Sequence, residues 1–267
     1  FFFLLMLRRP PRDTLFPYPT LFRSGTVVFQ GDGTPTLRDF RKVRMPGIGS
    51  QVSRDEFFAC LAEVVRPFAG TSERIGFCFS YATEVTPECD GKLLHWTKEI
   101  RAPEVVGTYI GAGLNDKLVA MGVGRKRIVI LNDTIATLLA GKSFGGARRY
   151  ASYTGVIVGT GSNAAYVEDN ARIAKLPGLP PGAMAINMES GNFAKCPRSD
   201  FDVAFDATTA NPGRQMFEKM ISGGYLGGVG LHVLRTAAAE GLFSPATAAM
   251  LQGWREPLRV LRTKGAW

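Results

Sequence analysis

The stretch Ile130-Leu131-Asn132-Asp133-Thr134 decides how this chain is read. The run Arg127-Ile128-Val129-Ile130-Leu131 reads as a buried apolar strand that ends on a carboxylate, and Thr134 to Ala140 reads as a helix. A carboxylate at the C-terminal end of a strand lies where ligands bind in open α/β sheets. From there Asp133 can take a proton from a bound hydroxyl. The competing reading makes Asp133 the cap of the following helix and nothing more. On these residues alone both readings stand.

Outward from this point, strand and helix signals alternate. Thr26 to Gln30 and Leu37 to Val43 read as strands joined by the turn Gly31-Asp32-Gly33. Ser53-Arg54-Asp55-Glu56 is a capping box ahead of Phe57, Phe58, Leu61, Val64 and Val65 at helical spacing. Arg74 to Tyr81 reads as a buried strand, and Asp90-Gly91 turns into a strand from Lys92 to Trp96. Val105 to Met121 reads as a helix broken by Gly122 and Gly124, with Gly107 to Asn115 as its structural start. Beyond Asp133, Thr154 to Val158 and Ala164 to Val167 flank the turn Gly159-Thr160-Gly161. Met184 to Met188 is a short strand ending at Glu189, and helices are expected over Gln215 to Ser222 and Val229 to Ala239. The mixture points to an α/β fold.

Composition bounds the function classes. The 267 residues suffice for one large domain or two small ones, and 45% hydrophobic with 21% charged residues is ordinary for a globular protein. The net charge of +9 raises the question of an anionic partner. Much of the excess sits at the two ends, in Arg8, Arg9, Arg12 and Arg23 and in Arg255, Arg259, Arg262 and Lys264. No basic stripe with interleaved aromatics lies between them, so no nucleic-acid partner is expected. Cys60, Cys78, Cys89 and Cys196 lack C-x-x-C spacing, and with only His95 and His232 beside them no zinc site is expected. Cys60 and Cys78 read as small core residues, and the setting as reduced and cytoplasmic. Phe1 to Leu7 is apolar but far short of the ~20 residues that span a bilayer, so no membrane partner is expected. Arg12 to Ser24 resembles a translated sequencing adapter, and residues 1–24 are set aside as a non-native extension.

Several residues outside the opening motif carry chemistry. Glycines in Gly159-Thr160-Gly161-Ser162-Asn163 let backbone N–H groups approach phosphate oxygens, with the Thr160 hydroxyl as a further donor; an ordinary hairpin turn is the alternative. Thr97 and Lys98 after Trp96 can serve a polyol, and Lys98 can balance developing phosphoryl charge. Gln215 and Glu218, three apart on an expected helix, share one face. Together Ser80, Thr97, Lys98, Asn132, Asp133, Asn163, Glu189, Gln215 and Glu218 form a set rich in donors and carboxylates. Such a set suits a neutral polyhydroxyl ligand, each hydroxyl of which needs a partner.

The motifs, in order, resemble those of the hexokinase family of ATP:sugar phosphotransferases, in a bacterial-type form. Phe77-Cys78-Phe79-Ser80-Tyr81 is similar to F-x-F-S-[FY]-P, and Trp96-Thr97-Lys98 to the sugar-binding W-T-K. Asn132-Asp133-Thr134 is similar to the catalytic N-D-T, and Gly159-Thr160-Gly161-Ser162-Asn163 to the second phosphate motif. Asn187 to Phe193 is similar to N-x-E-W-G-x-F, and Asn211-Pro212-Gly213 through Tyr225-Leu226-Gly227 to a further helix start. The likeness runs over residues 25–245. It implies an actin-like, ribonuclease-H-like α/β fold of two domains, present here incompletely, with residues 25–133 as the small domain and 134–267 as part of the large one. The resemblance further implies ATP and Mg2+ as cofactors and glucose or a related hexose as substrate. Asp133 would be the general base for the sugar 6-hydroxyl and Lys98 a second catalytic residue. Ser80, Thr97, Lys98, Asn132, Asp133, Asn163, Glu189, Gln215 and Glu218 would hold the sugar, and Gly159, Thr160 and Gly161 the nucleotide phosphates.

The chain departs from the pattern in places. Ala82 and Ser190 replace the family's proline and aromatic residue. The family's first phosphate motif, D-x-G-G-T-N-x-R, and its C-terminal adenosine loop have no counterpart here. The chain by itself is therefore expected to have little kinase activity. A sugar-binding or regulatory relative without catalysis is the alternative reading.

Overall fold

The computed structural model describes residues 2–5, 21–31, 33–96, 100–144 and 150–254, and the chain divides into two compact units, Phe1–Tyr153 and Thr154–Trp267. The first unit runs β1 (Phe2–Leu5), β2 (Leu21–Phe29), β3 (Pro35–Arg44), α1 (Arg54–Val65), β4 (Arg74–Cys78), β5 (Ala82–Val85), β6 (Gly91–His95), α2 (Ile110–Ala120), β7 (Arg127–Leu131) and α3 (Asp133–Phe144). Its main sheet has the order β3-β2-β1-β4-β7. The first three strands form an antiparallel meander, and β1, β4 and β7 run parallel. A three-strand meander extended by parallel strands is the layout expected of a ribonuclease-H-like domain. Parallel neighbours require crossovers, which α1 and α2 provide.

Burial follows the sequence pattern. Phe57, Phe58, Leu61, Ala62 and Val65 form the inward face of α1. They meet Phe22, Phe77, Phe79, Leu93, Ile110, Leu114 and Leu118 in one continuous core. The Ser53 hydroxyl accepts the Glu56 N–H while Glu56 accepts the Ser53 N–H, so the capping box forms as expected. Gly113 of α2 lies against the Phe58 ring, where a Cβ would come within 2.4 Å, so α2 approaches α1 more closely than any other residue type allows.

Four expectations for this unit are corrected. Residues 1–24 do not all lie outside the fold: Phe2–Leu5 pairs antiparallel with β2 and parallel with β4, and β2 begins at Leu21, with Phe22 fully buried. Without that short strand β2 and β4 would each present an unpaired edge. The helix expected from Val105 starts only at Ile110, because Gly107 adopts a left-handed φ of 80° and Tyr109 bridges to Lys92. Asp90 then receives the Gly111 and Ala112 N–H groups and fixes that later start. Cys60 is exposed, since it falls on the solvent side of α1, whereas Cys78 is buried as expected. Finally, the expected division after Asp133 falls where β7 runs into α3 without a linker; the compact units divide later, at Tyr153.

The second unit runs β8 (Thr154–Val158), β9 (Ser162–Asp169), β10 (Ala183–Asn187), α4 (Asp200–Ala207), α5 (Met216–Ile221), α6 (Leu226–Ala239) and α7 (Pro245–Gly253). The strands form an antiparallel sheet in the order β10-β9-β8. α4 and α7 were not expected from the sequence, although both carry start signals. Ser199 and Asp202 form a capping box, and Ser244 caps α7 with Pro245 at its first position.

Candidate active site

In the first unit the site residues emerge where two parallel strands end side by side. Cys78 of β4 pairs with Leu131 of β7, and the Phe79 N–H donates to the Leu131 carbonyl at 2.7 Å. Ser80 and Asn132-Asp133 therefore leave the same edge of the sheet. The cap reading of Asp133 is settled here by its neighbour. The Asn132 Oδ1 accepts the Thr134 N–H at 2.8 Å, and the Asn132 carbonyl accepts the Ala136 N–H at 2.9 Å. Asn132 is thus the N-cap. Asp133 is the first residue of α3 and is half-buried. Among the described residues its carboxylate has one long hydrogen bond, from the Thr134 hydroxyl at 3.4 Å.

Trp96 is fixed from several sides. Its indole N–H donates to the Ala102 carbonyl at 2.8 Å, and Tyr81, Phe57 and Phe79 pack around its ring. Thr97 and Lys98, which follow it, lie outside the described residues.

In the second unit the hairpin turn Gly159-Thr160-Gly161 closes on itself, the Gly159 N–H donating to the Gly161 carbonyl at 2.8 Å. Among the described residues the Thr160 and Gly161 N–H groups make no hydrogen bond, so two adjacent backbone donors are left for an anion. Beside the turn, Asn163 of β9 donates from Nδ2 to the Asn187 Oδ1 at 2.6 Å and, at 3.4 Å, to the Glu189 Oε1. Asn187 donates in turn to the Glu189 Oε1 at 2.7 Å. The Asn163 Oδ1 accepts the Ala164 N–H and, at 3.2 Å, the Ser190 N–H. Glu189 itself has a left-handed φ of 50°, so these amides hold the carboxylate on a strained backbone.

Glu218 of α5 reaches the same place, its Oε2 accepting the Ser162 N–H at 2.7 Å. Gly191 packs against it: a Cβ there would lie 3.0 Å from the Glu218 Cβ and 2.9 Å from the Ser162 carbonyl. Burial, and secondarily the Glu218 carboxylate, hold the Tyr225 hydroxyl above its usual pKa. Gln215 is not on the helix, as the three-residue spacing implied. It is the N-cap of α5 with a left-handed φ of 51°. Its N–H donates to the Asn192 Oδ1 and its Oε1 accepts from the Asn211 Nδ2 at 2.7 Å. Within this unit the fold therefore gathers Asn163, Glu189, Gln215 and Glu218 with the turn. Asn187, Asn192 and Asn211, to which the sequence reading assigned no role, hydrogen-bond to Glu189 and Gln215. All three lay inside motifs already quoted, Asn187 two residues before the carboxylate it holds.

No group of three or more potential metal-binding side chains occurs among the described residues. No described helix is long and apolar enough to cross a membrane.

Comparison with known proteins points to one family. Two family models, each described as hexokinase, match residues 19–143 and 153–263, beyond both limits of the 25–245 span that the motifs indicate. Hexokinase-1 of Spinacia oleracea is 38% identical over 189 residues, which is 69% of this chain and 37% of that one. Hexokinase-1 of Arabidopsis thaliana is 35% identical over 240 residues, covering 84% and 48%. Both are plant proteins. A solved hexokinase of Schistosoma mansoni in complex with glucose is 28% identical with a TM-score of 0.63, over 85% of this chain and 52% of that one. A second hexokinase crystal structure is 26% identical with a TM-score of 0.68, covering 86% and 52%. The chain spans between about a third and a half of the length of these relatives. With the actin-like α/β layout and two hexokinase models matching along the chain, this chain belongs to the hexokinase family.

Proposed function

We propose that this chain supplies the sugar-binding and phosphoryl-transfer residues of an ATP-dependent hexokinase acting on the 6-hydroxyl of glucose or a related hexose. The observation that carries the reading is the division of labour at the end of β7: Asn132 caps α3, and the Asp133 carboxylate is left uncommitted. In this reading Asp133 takes the proton of the sugar 6-hydroxyl. The sugar oxygen then attacks the γ-phosphorus of ATP in line as the bond to the β,γ-bridging oxygen breaks and ADP leaves, a step in which positioning and charge neutralisation do most of the work. Asn163, Glu189, Gln215 and Glu218 accept and donate to the remaining hydroxyls, and Ser80, Asn132, Thr97 and Lys98 are assigned to the same ligand. The free Thr160 and Gly161 N–H groups fit phosphate oxygens. Magnesium arriving with the nucleotide would neutralise charge on the phosphates. A cytoplasmic setting is part of the proposal.

A second reading, a sugar binder without turnover, is favoured by one observation. The Asn163–Asn187–Glu189 cluster is bonded up within its own unit and needs no nucleotide to hold its shape. The two readings separate in one assay: ADP release by the full-length protein with glucose and Mg2+-ATP. Glucose-dependent release supports the kinase. Saturable glucose binding without release supports the binder.

A further inference from the structure

We propose that Gly223 and Gly224 are positioning residues for the phosphate-binding turn: a main-chain strap that sets the place of Gly159–Ser162 and ties it to the helix carrying Glu218. The inference rests on the reading of that turn as the phosphate site. The Gly223 N–H donates to the Gly159 carbonyl at 2.7 Å and the Gly224 N–H to the Thr160 carbonyl at 3.0 Å. A third bond from the same stretch of chain completes the attachment, the Glu218 Oε2 accepting the Ser162 N–H at 2.7 Å. The carbonyls of the turn are thus held from one side, while its Thr160 and Gly161 N–H groups stay free for a ligand.

The strap is anchored at both ends. The fully buried Ser222 donates its N–H to the Glu218 carbonyl at 2.9 Å, and its own carbonyl accepts the Tyr225 and Leu226 N–H groups at the start of α6. Neither Gly223 nor Gly224 has a left-handed φ, so the backbone conformation does not call for glycine at either place. Close approach does. A Cβ on Gly224 would lie 2.6 Å from the Thr160 carbonyl oxygen, and one on Gly223 would lie 3.0 Å from that of Gly159. Both contacts are to backbone, which cannot swing aside as a side chain can. Alanine at Gly224 must push the turn away from α5.

Three variants of the full-length protein test the proposal: Gly224→Ala, Gly223→Ala and, as a control, Gly253→Ala, whose Cβ would meet nothing within 4 Å. Amide hydrogen exchange and steady-state kinetics are measured on each. Gly224→Ala is expected to speed exchange at Ser162 and to lower kcat/KM for ATP about tenfold or more, the size of effect a small misplacement produces. The KM for glucose should stay within about twofold. Gly223→Ala should act in the same direction but more weakly, and Gly253→Ala should do neither. A variant that fails to fold would lose sugar binding too, and the milder Gly223→Ala then decides. Unchanged exchange at Ser162, or parallel loss for ATP and glucose, overturns the proposal. If the unaltered protein transfers no phosphoryl group, the kinase reading falls, while hydrogen exchange still decides whether the strap holds the turn.

Discussion

Asn132 and Asp133 show how two adjacent residues divide the tasks that either could perform. Asn and Asp are both favoured helix caps, so the sequence left open whether Asp133 was a structural residue. The answer depended on which of the two turns its side chain back onto the helix, a rotamer matter that spacing does not encode. Asn187 makes the complementary point. It was visible within a quoted motif, yet its role appears only once β10 pairs with β9, where Asn187 lies opposite Ala165 and reaches Asn163 diagonally. Asn187→Ala removes the amide that holds the Glu189 carboxylate. A hydrogen bond to a charged group contributes about 1.5–3 kcal/mol. The variant is therefore expected to raise the KM for hexose about tenfold or more with a smaller change in kcat; an unchanged KM in steady-state assays would count against the support role. Gln215 was expected on a helix and instead precedes it, because a left-handed N-cap leaves no mark on a three-residue spacing.

Elements with strong local signals were legible. The capping box before α1, the apolar run of β7 and the glycines after α2 all predicted what forms. The elements missed, α4 and α7, are short and largely exposed, so no apolar stripe announced them. α4 and α5 are joined by a buried ion pair. The Lys219 ammonium donates to the Asp206 Oδ1 at 2.5 Å, to the Thr209 hydroxyl and to the Asn211 carbonyl, and the Asp206 Oδ2 accepts the Gly213 N–H. This network shapes the loop that carries Gln215. The hydrogen bond from Lys219 holds the Asp206 carboxyl below its usual pKa despite burial. A carboxyl depressed by folding contributes stability that is present above its unfolded pKa of about 3.9 and is lost as pH falls through the folded value. Acid titration followed by circular dichroism is expected to show that contribution vanish below about pH 4, and Asp206→Asn should flatten this part of the profile. Lys219→Met leaves the buried Asp206 carboxylate with only the longer Arg198 contact, at 3.8 Å, and is expected to destabilise the second unit at pH 7 by about 3 kcal/mol. A loss under about 1 kcal/mol in denaturant melts would show that the pair is dispensable.

Across the whole molecule, apolar burial is uneven. The continuous core lies entirely within the first unit, with Phe22, Phe57, Phe77, Leu93, Leu114 and Leu118 fully buried. In the second unit the buried apolar residues are Ala165, Leu231, Ala238 and Leu251 among those described, while Val156, Val158, Phe193, Leu226 and Leu242 are exposed. Cooperative stability follows buried contacts, so calorimetry is expected to resolve two transitions with the second unit melting first. Leu231→Ala should lower only the first transition and Leu114→Ala only the second; one transition displaced by both substitutions would contradict this. The family and its two-domain layout were legible from ordered motifs. The contribution of Phe2–Leu5 to the main sheet was not, since a short apolar run carries no information about its partners.

The central claim is that Asp133 is the base of a hexose phosphotransferase, and the most direct test measures turnover and glucose affinity together. In the full-length protein, Asp133→Ala is expected to lower kcat for glucose-dependent ADP release by about 10²–10⁴-fold, the usual effect of removing a general base. Glucose affinity by calorimetric titration should stay largely intact. Retained turnover with weakened glucose binding would contradict the account and return Asp133 to a binding role.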